Sequence, residues 1–268
     1  MKTARVLEIS NKLDVTDIDW EAATQAGLTE EEEFVLTYFT DIEGQTIMYM
    51  RDILHTTAVD DPEVIGFLSA WNYEEYFHGE ALAKVLEVCG TKLEPNRIAE
   101  VRRRATRKEK LLAWITSKIS RLLNERFVTL YMTWGAVQEF TTHSGYQRIR
   151  DTTNNPVLDE ICKRIMKQER VHFSWYYNNA KKRLEANPSH RKLVRFMLER
   201  FWSPVGAGVK THDEVARLFT DLFGNDYKDQ LINEVDDKIG QLPGLDGIKI
   251  MGSWFGANVQ PLLAEPQS

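Results

Sequence analysis

Two Glu-x-x-His motifs, Glu75-Tyr76-Phe77-His78 and Glu169-Arg170-Val171-His172, each follow a solitary upstream glutamate, Glu43 and Glu139. The positions of those glutamates constrain the fold more than any other feature. Halfway between Glu43 and Glu75 stands Val59, beside the Asp60-Asp61-Pro62 turn. Halfway between Glu139 and Glu169 stands Asn154, within the turn that runs from Asp151 to Pro156. A helical hairpin folded at each turn sets its paired residues at one height, about 23 Å from the bend at roughly 1.5 Å per residue. Two such hairpins packed face to face bring four glutamates and two histidines to one level of a helical bundle.

That set is the ligand complement of a carboxylate-bridged di-iron site, one Glu from each of two helices and Glu-x-x-His from the other two. Residues i and i+3 share a helical face, so each Glu-x-x-His pair reaches one metal region. Carboxylates bridge two cations while staying anionic, and imidazole nitrogen suits iron. A single Glu-x-x-His is ordinarily an exposed helical hydrogen bond; two of them, each matched by a glutamate across a turn, are not. Glu139 is the only acid between Glu125 and Asp151, in an apolar helix, where a lone carboxylate is expensive to bury without a partner or metal. Phe39 and Ile47 flank Glu43 one turn away, whereas Asp41 reads as solvated. Glu74 is an i, i+4 neighbour of His78, and spacing alone leaves the choice between Glu74 and Glu75 open.

The chain has 268 residues, 43% of them hydrophobic, enough for a sizeable core. A net charge of −6 argues against a general nucleic-acid binder. The cysteines, Cys89 and Cys162, have neither metal-ligand spacing nor the makings of a disulfide framework, and read as small buried residues in a reducing compartment. No apolar signal core or membrane-length run occurs, so the expected setting is cytoplasmic, without membrane insertion.

Helical signals dominate, and the expected fold is all-α: a ferritin-like four-helix bundle with additional helices. An N-terminal segment (1–28) precedes the bundle core (29–186), which carries an inserted helix. C-terminal packing helices (187–245) and a tail (246–268) follow. Thr29 to Glu32 forms a capping box opening a helix to about residue 55. Pro62 starts the next, ended by Gly90. A short helix is predicted over 95–106, a long one over 108–150, and the fourth bundle helix over 156–186. Helices at 189–202, 211–223 and 226–241 complete the set. The Gly- and Pro-rich tail is expected to pack loosely or lie along the surface.

Trp71-Asn72-Tyr73-Glu74-Glu75-Tyr76-Phe77-His78-Gly79 resembles the Trp-x-x-Glu-Glu-x-x-His-Gly motif of soluble acyl-acyl carrier protein desaturases. Glu43 with Thr46 and Tyr49 resembles that family's first ligand helix, and Gln138-Glu139-Phe140-Thr141-Thr142 its third. Glu169-x-x-His172 matches the second paired motif, and Leu242-Pro243-Gly244-Leu245 resembles the closing segment of bacterial members. The resemblance spans about residues 30–245. It implies two iron ions per chain, with Glu75 and Glu169 bridging, Glu43 and Glu139 terminal, and His78 and His172 on one iron each; it selects Glu75 over Glu74. It also implies dioxygen as co-substrate, with the Thr142 hydroxyl able to feed a proton to reduced dioxygen. Trp71 and Gln168 fall behind the ligands. Gln168 departs from the family pattern, which has Asp there accepting from a ligand imidazole. A glutamine oxygen accepts without charge, which implies a less basic ligand and a weaker electron relay.

The resemblance implies desaturation of an acyl chain carried as a thioester on acyl carrier protein or coenzyme A, a ferredoxin-like electron donor, and a homodimer. Met48, Met50, Trp134 and Phe140 are candidates to line the acyl tunnel, although plain core packing is the commoner role for such residues. The run from Phe173 to Tyr177 reads as an aromatic core patch. Acyl carrier protein is acidic, and the densest basic run, with Arg102, Arg103, Arg104, Arg107 and Lys108, is the candidate docking surface, with Arg97 nearby. Lys181-Lys182-Arg183 with Arg191 and Lys192 is a competing patch. Two other readings share the ligand set: a di-iron hydroxylase or N-oxygenase of a specialised metabolite, and a ferritin-like iron-binding protein. Only the pocket separates the first of these from a desaturase.

Overall fold

The computed structural model describes residues 2–94, 97, 99–100, 118–207 and 210–264, and its described residues form helices and no strand. The chain has an all-α, ferritin-like architecture. Its bundle comprises α3 (Glu30–Glu43), α5 (Pro62–Val88), α6 (Glu125–Thr152) and α7 (Pro156–Ala186). Two short helices precede it, α1 (Thr3–Ile9) and α2 (Trp20–Ala26), and α4 (Thr46–Tyr49) lies between α3 and α5. After the bundle come α8 (Pro188–Phe201), α9 (His212–Gly240), α10 (Ile250–Asn258) and α11 (Gln260–Ala264). α3 packs on α5, α6 pairs with α7 along its length, and α5 also packs on α7.

Local chemistry sets the helix starts. Thr29 and Glu32 form the reciprocal capping box of α3. The Asp61 carboxylate accepts from the Glu63 N–H, with Pro62 at the first position of α5. Asn155 plays the same part for α7, accepting from Val157 and Leu158 ahead of Pro156.

The first bundle helix does not continue to residue 55. It stops at Glu43, and the Thr46 hydroxyl donates to the Glu43 carbonyl (2.9 Å). The chain then crosses to α5 through α4 and two 3₁₀ turns, Ile53–His55 and Thr57–Asp60. The long helix expected over 108–150 is broken at Asn124, whose φ is +44°, so α6 starts at Glu125. Asn124 Oδ1 accepts from Thr57 N and Oγ1, both at 2.9 Å, which ties the break to the α4–α5 crossing. The short helix expected over 95–106 falls largely outside the described residues. The two helices expected over 211–241 are present as the two arms of α9, which meet at Gly224, where the backbone is non-helical with φ +37°.

Over its described residues, 246–264, the tail is not loose. Ile248, Ile250, Met251, Phe255 and Val259 are buried, and Asp236 accepts from the Met251 and Gly252 N–H groups at the start of α10. Its apolar residues complete a core that the Gly and Pro content conceals. At the other end, Thr3 pins α1 to the bundle: its hydroxyl donates to the Glu63 carbonyl (2.8 Å) and accepts from Trp175 Nε1 (2.8 Å).

Candidate metal centre

Glu43 is the last residue of α3, Glu75 and His78 lie midway along α5, Glu139 on α6, and Glu169 and His172 on α7. All six side chains are buried. Gly79 explains how the end of α3 comes so near α5: a Cβ there would lie 3.3 Å from Glu43 Cβ and 3.5 Å from Gly44 N.

The six residues fall into two overlapping groups, Glu43, Glu75, His78 and Glu169, and Glu75, Glu139, Glu169 and His172; within each, ligand atoms lie within 4.8 Å of one another. His78 Nδ1 is 3.2 Å from Glu169 Oε1 and 3.7 Å from Glu75 Oε2. His172 Nδ1 is 3.1 Å from Glu75 Oε1, 3.6 Å from Glu139 Oε2 and 3.9 Å from Glu169 Oε2. Glu75 and Glu169 therefore turn opposite oxygens to opposite histidines.

The electrostatics are those of a crowded acidic pocket. Burial, then the charge of Glu75, pushes the Glu43 carboxyl well above its ordinary range; burial and Glu169 do the same to Glu139. Burial also acts against Glu75 and Glu169, but the close approach of their neighbours, His172 and His78 among them, holds both low. Burial pulls His78 down, yet the adjoining carboxylates of Glu169 and Glu75 outweigh it and raise it to about 10. Both Nδ1 atoms and both oxygens of Glu169 are buried without a hydrogen-bond partner. Orphaned donors of mixed nitrogen and oxygen type, converging from four helices, fit divalent metal ions.

Glu74 does not compete with Glu75. It is buried behind the cluster, where its Oε2 lies 2.7 Å from His172 Nε2. Gln168 Oε1 stands in the same relation to His78 Nε2, at 2.8 Å. Tyr146, two turns after Glu139 on the same face of α6, donates its hydroxyl to Glu43 Oε1 (2.5 Å). Asp41, expected in solvent, is buried: Arg97 grips both its oxygens (2.5 and 2.9 Å) and Lys210 Nζ also pairs with it. Two cations recruited from distant segments make that burial tolerable.

A cavity of about 420 Å³ opens beside the cluster, with Glu43, Glu75, Glu139 and Glu169 on its wall. Trp71 and Thr142 also line it. Thr129, Thr133 and Thr141 each donate to the carbonyl four residues back, but the Thr142 hydroxyl makes no such bond. Of the four tunnel candidates, Met48 and Trp134 face the cavity. Met50 packs against the core and Phe140 against Phe173, with ring centroids 5.1 Å apart. Within the Phe173–Tyr177 patch, Trp175 stacks on Phe67 at 3.7 Å while Tyr176 reaches the cavity. The docking candidates Arg102, Arg103, Arg104, Arg107 and Lys108 lie outside the described residues. In the competing patch, Arg183 is bound to Glu125 (2.8 Å) and Arg191 Nε to the Leu184 carbonyl (2.9 Å).

The family model described as fatty acid desaturase matches residues 32–206, a stretch that contains all six clustered residues and the cavity wall up to Gly206. The chain belongs to the fatty acid desaturase family. No curated protein and no solved structure matches it. As a fatty acid desaturase it is of oxidoreductase type, and the buried Glu/His cluster is the place where a metal can sit. No helix among the described residues is long and apolar enough to cross a membrane.

Proposed function

We propose that this chain is an oxygen-dependent desaturase of a carrier-bound acyl chain, with two irons held by Glu43, Glu75, His78, Glu139, Glu169 and His172. The observation that carries the reading is the shared pair: Glu75 and Glu169 each offer one oxygen toward His78 and the other toward His172, on the wall of the cavity. Bound iron supplies the capacity to activate dioxygen, which the side chains lack.

The chain's residues supply the rest. Ile42, Phe127, Leu130 and Met197 give the cavity apolar surface that binds methylene groups and excludes water. Trp71 and Tyr176, both on the cavity wall, pack edge to face (5.6 Å) and fix that wall. Thr142 holds a hydroxyl proton beside Glu139, in reach of the cavity. Two hydrogens leave adjacent carbons of the acyl chain. Together with two electrons and two protons they convert dioxygen to two waters. A ferredoxin-like donor supplies the electrons, acyl carrier protein presents the thioester at the Arg102–Lys108 run, and the enzyme works as a homodimer.

The test is mass spectrometry of acyl carrier proteins of varied chain length after incubation with the iron-loaded protein, a ferredoxin system and oxygen. A two-dalton loss is expected. A sixteen-dalton gain would place the chain with the hydroxylating oxygenases, and no change at any length would remove the carrier-bound acyl chain as substrate.

A further inference from the structure

One hydrogen-bonded layer lies behind the cluster and joins the two histidines. His78 Nε2 meets Gln168 Oε1 at 2.8 Å, and Gln168 Nε2 donates to Glu74 Oε1 (3.1 Å) and to the Asn11 carbonyl (2.8 Å). The Asn11 N–H donates to the same Glu74 oxygen (3.2 Å), and Glu74 Oε2 meets His172 Nε2 at 2.7 Å. The partners assign the Gln168 amide. Its NH₂ must face the carbonyl and the carboxylate, which are both acceptors, so its oxygen faces His78. Each imidazole then carries its outer proton on Nε2 and turns Nδ1 to the cluster. Asn11 lies outside the stretch matched to the family, so the chain's N-terminal segment completes this layer.

The two ends of the layer are unequal. A carboxylate group stands behind His172, and an amide behind His78. The terminal glutamates differ in the same sense. The Tyr146 hydroxyl donates to Glu43 and draws electron density from its oxygen, while no hydroxyl donates to Glu139 among the described residues. A carboxylate behind a ligand imidazole raises its basicity, and loss of such a partner typically lowers metal affinity about 10–100-fold.

We infer that the two metal positions are inequivalent and fill in order, first the position bounded by Glu139 and His172, then the one bounded by Glu43 and His78. Glu74 is the positioning residue of the first, and Gln168, oriented by Asn11, of the second. The inference rests on the two-metal reading above.

Anaerobic titration of the metal-free protein with Co²⁺ tests it. Two binding steps are expected, separated by about 10–100-fold. At one equivalent, anomalous diffraction should place the metal beside Glu139 and His172, with the spectrum of an isolated ion. Glu74→Gln should weaken the first step more than the second, Glu74→Asp should restore part of that loss, and Gln168→Met should weaken the second step more than the first. If a variant does not fold, the titration and metal location in the unaltered protein decide. Pairwise filling, with coupled pairs and empty chains at one equivalent, would overturn the order and leave the two-metal site standing; so would a first metal beside Glu43 and His78. Less than one metal bound per chain would overturn the order and the metal centre together.

Discussion

Four carboxylates buried in two overlapping clusters, each with three of them within 4.8 Å of one another, cannot all be ionised without cations among them. In the metal-free protein those cations are protons. Glu43 and Glu139 are raised by burial and by their acidic neighbours, and His78 stands at about 10, so below these values the cluster holds protons that metal must displace. Anaerobic addition of ferrous iron at pH 7 should therefore release protons, and apparent affinity should fall as pH is lowered. An indicator dye in weak buffer measures the release; tight binding with none would mean that the cluster is already deprotonated when empty. Five of the six cluster residues, all but Glu75, were legible from spacing because turn symmetry survives any detail of the loops. The roles of Glu74, Tyr146 and Asn11 were not. Glu74 and Glu75 are adjacent in sequence, and only the packing of α7 against α5 shows which one faces the cluster. Tyr146 was within reach of a sequence reading, since it repeats Glu139 at helical spacing; Asn11 offered no pattern.

At the scale of elements, the symmetrical hairpin holds although one of its arms is interrupted. Gly44 ends α3, yet Glu43 and Glu75 still meet, because Gly79 admits the end of α3 against α5. The sequence marks the break weakly, since a single glycine within a helical pattern is tolerated. The ion cluster at Asp41 was illegible for a different reason. Its partners Arg97 and Lys210 lie 56 and 169 residues away, and no local pattern joins them. That cluster anchors Lys210 just beyond the cavity-lining stretch 203–207, which Tyr38 and Gln138 also hold through the Val205 and Ser203 carbonyls (2.8 and 3.0 Å). Asp41→Asn should leave the buried Lys210 charge poorly paired and destabilise the protein by about 3 kcal/mol or more. Urea unfolding measures this; a loss below about 1 kcal/mol would place the trio in the range of surface ion pairs.

For the whole molecule, the proposed function requires an acidic chain to receive an acidic carrier, which needs a local basic face, and the 102–108 run is the densest in the sequence. Charge reversal at Arg103, Arg104 and Arg107 should raise KM for acyl carrier protein substrates with a smaller effect on kcat. The effect should shrink with added salt, because exposed charges are screened within about 10 Å at 0.1 M. An unchanged KM at low salt would redirect docking to the Lys181–Lys192 patch or to a small thioester. Everything in the functional reading depends on one joint property of four helices, that Glu75 and Glu169 stand between two metals. Mössbauer spectroscopy of protein fully loaded with ⁵⁷Fe measures this most directly. The expected result is two irons per chain in a magnetically coupled pair, and isolated mononuclear iron in the fully loaded protein would contradict it.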